Sequence, residues 1–157
     1  MRKFLLVGAF MVLPVSAMGV VAAAGTAFAA KPAGTSVKCK NITGTITGNV
    51  SVTKCNDKAN TGGSGSAPAS SLISGSGKIT WNGTGTTKLD NVVPTQAGTA
   101  CPSGSTEYMV TGDVKGGTGA AKTSIPKGWT FTVNVCVDGS GNITMAPGSE
   151  LLFSATA

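Results

Sequence analysis

The chain has 157 residues, 23 of them glycine, no histidine, and 12 Lys+Arg against 6 Asp+Glu, for a net charge of +6. Without histidine the commonest general base, triad member and metal ligand is missing, and Arg2, the single arginine, leaves no guanidinium fork for a phosphate or carboxylate. Most hydrolase schemes and most sequence-reading nucleic-acid binders are thereby excluded.

At the N-terminus, Arg2 and Lys3 precede an apolar run from Phe4 to Ala24 and then small residues ending Ala27-Phe28-Ala29. This is the three-part layout of a secretory signal peptide, residues 1–29, with cleavage after Ala29 on the A-x-A rule. An uncleaved anchor is the competing reading, but Gly8, Pro14 and Gly19 interrupt the run and no basic stop-transfer flank follows. Lipid attachment would need a cysteine at the cleavage point, and the first is Cys39. A secreted product is expected, loosely wall-associated at most and free of the membrane. Loss of Arg2 and Lys3 leaves ten lysines against six carboxylates, net +4. Those lysines are scattered from Lys31 to Lys127, as on a solvated surface, and mild attraction to an anionic wall polymer is the one partner this charge suggests.

Residues 30–157 read as one domain, with 30–38 a loose lead-in. Asn41 to Thr53 places Ile42, Ile46, Val50 and Val52 on one parity, a strand pair turning near Gly48-Asn49. Asn56 to Ser71, with Gly62-Gly63-Ser64-Gly65-Ser66, reads as an exposed loop. Lys78–Trp81 and Thr86–Val93 form a hairpin through Asn82-Gly83, a strong type I′ turn signal, and Pro94 ends the second strand. Glu107 to Lys115 is a strand, and Gly116 to Ala121 breaks it. Trp129, Phe131, Val133, Val135 and Val137 make the longest period-2 run and predict a central strand, with Cys136 on its other face. Asp138 to Asn142 is a turn into Ile143–Met145, and Glu150–Ala155 is a closing strand. No helical period appears after residue 29. The sum is an all-β fold, a single antiparallel β-sandwich or small Greek-key barrel.

Such a Gly/Ser/Thr-rich domain has few bulky core residues and much chain entropy to overcome. Four cysteines in an exported chain supply reinforcement as two disulfides. Three connectivities exist, and the favoured one joins Cys39 to Cys55 across a hairpin and Cys101 to Cys136 between a loop and the long strand. A metal site is not expected, because no C-x-x-C pair or histidine is present, and no cofactor motif occurs.

The remaining chemistry is sparse. Asp57, Asp90, Glu107, Asp113, Asp138 and Glu150 could supply a glycosidase pair only if two met in a cleft. Ser51-Val52-Thr53-Lys54 and Ser124-Ile125-Pro126-Lys127 match S-x-x-K but lie on no helix and lack the companion motifs. Asp138 to Asn142 spaces oxygens as a calcium loop does, yet Ile143 stands where glycine is needed. Asn41, Asn49, Asn82 and Asn142 lie in N-x-[ST] sequons that a bacterial-type leader makes incidental. Trp81, Tyr108 and Trp129 are candidate ligand contacts as a platform for sugar rings, against core packing as the alternative.

Gly77-Lys78-Ile79-Thr80-Trp81, the run from Gly98 to Tyr108 around Cys101-Pro102, and Val133-Asn134-Val135-Cys136 resemble small secreted two-disulfide proteins of actinobacteria with no assigned activity. The resemblance spans nearly all of the chain after residue 29. It implies export and disulfides, and carries over no catalytic residue. In size and composition the domain is also similar to the neocarzinostatin-type chromophore carriers, exported two-disulfide β-sandwiches. It departs from them in being basic and in its wide cysteine spacing.

The reading that follows is a non-catalytic extracellular binding module. The alternative is a small-molecule carrier, or an inhibitor of a secreted enzyme, using the Asn56–Ser71 loop. A carboxylate-pair glycosidase is the third class. A large apolar cavity favours the carrier, an exposed aromatic row the sugar binder, and two carboxyls about 5–10 Å apart in a cleft the enzyme.

Overall fold

The computed structural model describes residues 36–156, and the expected signal peptide and most of the lead-in lie outside them. The described chain forms β1 (Val37–Thr45), β2 (Asn49–Cys55), α1 (Lys58–Thr61), β3 (Ser64–Pro68), a 3-10 turn (Ala69–Leu72), β4 (Gly75–Trp81) and β5 (Gly85–Gln96). It continues with β6 (Ser105–Gly119), α2 (Ala121–Ser124), β7 (Trp129–Asp138), β8 (Asn142–Met145) and β9 (Leu151–Ala155).

Every strand pairing is antiparallel, and each strand from β1 to β7 lies beside its neighbour in the chain. The ring is closed by β8 and β9, which both lie between β7 and β1. β8 sits opposite Val135–Val137 and Thr43–Thr45, and β9 opposite Trp129–Thr132 and Val37–Cys39. The two are therefore halves of one stave, interrupted at residues 146–150. Asn134 of β7 bridges the interruption, since its N–H donates to Ser149 Oγ at 3.0 Å and its carbonyl accepts from the Ala146 N–H at 3.0 Å. The result is an eight-stave closed barrel with up-and-down connections, which leaves no long unpaired edge.

Alternation explains which side faces in. The parity of Trp129, Phe131, Val133 and Val135 is buried, as are Val110 and Val114 on β6 and Ile79 and Trp81 on β4, while Lys78, Lys88 and Lys115 point outward. This is the reverse of a barrel that faces lipid. No helix among the described residues is long and apolar enough to cross a membrane. Rings pack together inside: Phe153 meets Trp81 edge-on at 6.2 Å between centroids and Phe131 at 5.9 Å. The Trp81 indole N–H, which would be costly to bury unpaired, donates to Thr87 Oγ1 at 2.7 Å.

Both expected disulfides are present, Cys39–Cys55 and Cys101–Cys136. Cys39 and Cys55 are cross-strand partners at the end of the first hairpin. Cys136 alternates with inward Val135, so its bond lies on the outer face and pins the β5–β6 connection against the wall.

Four sequence expectations are corrected. Val37 and Lys38, expected in the lead-in, belong to β1. The Asn56–Ser71 stretch is α1, β3 and the start of the 3-10 turn rather than a loop. Its small residues are a fit to the core: a Cβ on Gly65 would lie 2.7 Å from the Trp81 ring, and Ala67 is buried. β5 runs through Pro94 to Gln96. Asn91, at φ 51°, shifts the register, and past Val92 the strand has no β4 partner, which is the edge setting that tolerates proline. β6 likewise continues through Gly116 and Gly117 to Gly119: Gly116 takes a φ of 138°, and at Gly117 and Gly119 the β5 side approaches too closely for a Cβ. Across that same crossing Gly85 has φ 124°, and its Cβ would lie 2.0 Å from the Thr118 carbonyl oxygen. Gly85→Ala is expected to cost about 2 kcal/mol or more in denaturant unfolding. A change within about 0.5 kcal/mol would refute this account of the crossing.

Candidate functional site

In an up-and-down barrel alternate connections share an end. One end carries α1, the β4–β5 turn and α2. It is plugged, with Thr61, Ala121 and Ile125 each at 0 % exposure. Asp57 caps α1 by accepting the Asn60 N–H at 3.2 Å, and Gly62 closes the helix in the left-handed conformation.

The other end carries the β1–β2, β3–β4, β5–β6 and β7–β8 connections, and an apolar hollow opens among them, with Val110, Val135 and Ile143 of its lining still buried. An apolar pocket of about 310 Å³ descends between the staves. Tyr108, Val110, Val135 and Val137 form its β6–β7 wall, and Pro94, Ile143 and Leu72 complete its sides. Ile46 and Ile73 stand at the rim, 46 % and 58 % exposed. These two exposed aliphatic chains extend the apolar surface of the hollow to its edge. Ile46 is thus a rim residue and not the core residue its parity suggested.

The mouth connections are tied to one another. The Ile46 N–H donates to the Gly141 carbonyl at 2.9 Å, and the Ala69 N–H to the Gly48 carbonyl at 2.8 Å. Asp138 holds the β7–β8 turn, its carboxylate accepting from the N–H groups of Ser140 at 2.9 Å and Asn142 at 2.8 Å and from the Asn142 side-chain amide at 2.8 Å. The Asn142 side-chain bond first, and then the backbone donors, hold the Asp138 carboxyl below its usual range. A lowered carboxyl pKa adds stability that is complete above the unfolded value and lost as pH falls through the folded one. In an NMR titration the Asp138 carboxyl carbon and the Ser140 and Asn142 amides are expected to share a midpoint below 3.8, the ordinary value. A midpoint at or above 3.8 would contradict the turn geometry.

The sequence candidates fall in different places. Of the three aromatic contacts, Tyr108 lines the mouth, whereas Trp81 and Trp129 are 2 % and 5 % exposed in the barrel interior, so the three do not form a row. A wider hydroxyl-lined groove, with Ser51, Thr53, Ser64, Ser66 and Thr80, runs along the outer wall over Trp81, but the ring offers it no face for stacking. The six carboxylates each have a local partner. Besides Asp57 and Asp138, Glu150 pairs with Lys38 at 2.6 Å, and Asp113 accepts from the Asn91 amide at 2.7 Å. Asp90 pairs with Lys115 at 2.8 Å, and the hydrogen bond from that lysine lowers its pKa. Glu107 is 5 % exposed on the outer face of β6 and accepts from the Ala100 N–H and the Asn134 side-chain amide, both at 2.8 Å, so it organises the β5–β6 connection. Among the described residues no three His, Cys, Asp or Glu side chains cluster as metal ligands would.

Of the residues lining the pocket, the sequence singled out Tyr108 alone, and as part of a sugar platform rather than of an apolar wall. Val110, Val135, Val137 and Ile143 are ordinary inward positions of strands, and nothing in their spacing tells a filled interior from a hollow one. Compared with known proteins, the chain matches no family model, no curated protein and no solved structure.

Proposed function

We propose that this protein is an exported, non-catalytic carrier that binds a small apolar molecule in the mouth of its barrel. The observation that supports this reading is the apolar pocket of about 310 Å³ with Ile46 and Ile73 exposed at its rim. An eight-stave barrel is just wide enough to hold one small ligand when side chains do not fill it. Here the Trp81, Phe131 and Phe153 rings pack together in the core, and the pocket at the other end is lined mainly by aliphatic groups. The volume is about twice the ~150 Å³ apolar cavity that accepts a benzene ring, which points to a skeleton of one or two rings or a short alkyl chain. Burial of that surface drives binding at roughly 25 cal/mol per Å² of apolar area. Export is supported by the leader-like N-terminus and by two disulfides, which persist in oxidising compartments.

The test is a fluorescence titration with N-phenyl-1-naphthylamine, whose emission rises in apolar surroundings. Saturable one-site binding is expected for the native protein. Val137→Trp, which adds a ring from a half-buried wall position, is expected to weaken that binding at least about tenfold while the thermal transition stays cooperative. Absence of saturable binding, or equal binding by a folded Val137→Trp protein, would overturn the carrier reading.

A further inference from the structure

The charge distribution around the pocket narrows its ligand class, taking the carrier reading as the premise. The four mouth connections, residues 46–48, 69–74, 97–104 and 139–141, contain no lysine. The connections of the plugged end contain Lys58, Lys122 and Lys127. The charged residue adjoining these connections in the chain is Asp138, the last residue of β7, which lies on the outward parity of Cys136 and outside the pocket lining. Glu107 lies behind the wall with its carboxylate already accepting two hydrogen bonds. Eight of the nine pocket-lining residues are aliphatic, and the Tyr108 hydroxyl is the one hydrogen-bonding side-chain group among them.

We propose that the mouth pocket selects uncharged lipophilic molecules bearing at most one hydroxyl, carbonyl or ether oxygen, and rejects their carboxylate and sulfonate counterparts. An anion entering this pocket would lose its hydration with no cation among the lining residues to replace it. An ammonium group would be equally desolvated inside aliphatic walls. A single neutral oxygen can be satisfied by Tyr108, and leaving it unpaired would cost more than the bond itself contributes. The pocket thus differs from a fatty-acid site, in which a basic side chain holds the head group.

The experiment compares two dyes with one skeleton, N-phenyl-1-naphthylamine and 8-anilinonaphthalene-1-sulfonate, which differ by the sulfonate. On the native protein the neutral dye is expected to bind at least about tenfold more tightly at pH 7 and low salt, and 1-decanol to displace it where decanoate does not. Ile46→Lys, a change at an exposed rim position, is expected to raise sulfonate-dye affinity several-fold and so narrow the gap. Equal affinities, or tighter binding of the sulfonate dye, would overturn the charge selection and leave the carrier reading standing. Binding of neither dye would overturn both. Failure of Ile46→Lys to narrow the gap, in a protein with native circular dichroism, would also count against the electrostatic basis.

Discussion

Phe153→Ala is expected to lower the stability of the barrel by about 3–5 kcal/mol, among the largest single-residue losses in this fold. The side chain is fully buried, and it touches both Trp81 of β4 and Phe131 of β7. It also lies on β9, the half-stave that joins β7 to β1, where Phe153 pairs with Phe131 on one side and Val37 on the other. Removing the ring therefore leaves a cavity among aromatic groups that cannot collapse without opening the closure. Phe153→Leu keeps most of the volume and is expected to cost about half as much. Denaturant unfolding measures both, and a Phe153→Ala loss below about 1.5 kcal/mol would mean that β9 does not close the ring.

The second large effect belongs to the outer disulfide. Replacing Cys101 and Cys136 together by serine is expected to cost about 3–4 kcal/mol, the chain-entropy value for their separation of 35 residues. For a domain of this size that lowers Tm by about 10–20 °C. The Cys39–Cys55 bond spans 16 residues and closes a hairpin already held in register by β1–β2 pairing, so its removal is expected to cost less, about 3 kcal/mol. Without the outer bond the β5–β6 connection keeps the Glu107 anchor at Ala100, the Ala97 N–H bond to the Glu107 carbonyl and the Ser105 N–H bond to the Pro102 carbonyl. Calorimetry of the two serine pairs checks both the size and the order, and an equal or reversed order would contradict the assignment of the outer bond as the main staple.

The sequence was most legible where a local signal had one physical meaning. Alternation in Trp129–Val137 defined β7, and four cysteines behind a leader-like N-terminus led to both bonds. Asn82-Gly83 located the β4–β5 turn but not its type: Trp81 pairs with Gly85 across a three-residue loop and Asn82 has no positive φ, so the turn is not the type I′ turn expected. The sequence was least legible where glycine and serine replace the usual strand formers. β3 is Ser-Gly-Ser-Ala-Pro, and its composition mimics a linker because Trp81 takes up the space its side chains would have filled. The Gly-rich end of β6 is hidden for a related reason, since the backbones there approach too closely for a Cβ. Barrel and sandwich share the same alternation, and only the placement of β8 and β9 between β7 and β1 distinguishes them. The pocket follows from that closure, so it was no more visible than the closure was.

The open end of this barrel, and not its plugged end or outer wall, is the proposed seat of a neutral apolar ligand. The most direct measurement is amide and methyl chemical-shift mapping of the oxidised protein as N-phenyl-1-naphthylamine is added. Saturable shifts are expected at Ile46, Ile73, Tyr108, Val135, Val137 and Ile143, with Lys58, Ala121 and Lys127 unmoved. Shifts confined to the plugged end or to the groove over Trp81, or no saturable shift at all, would contradict it.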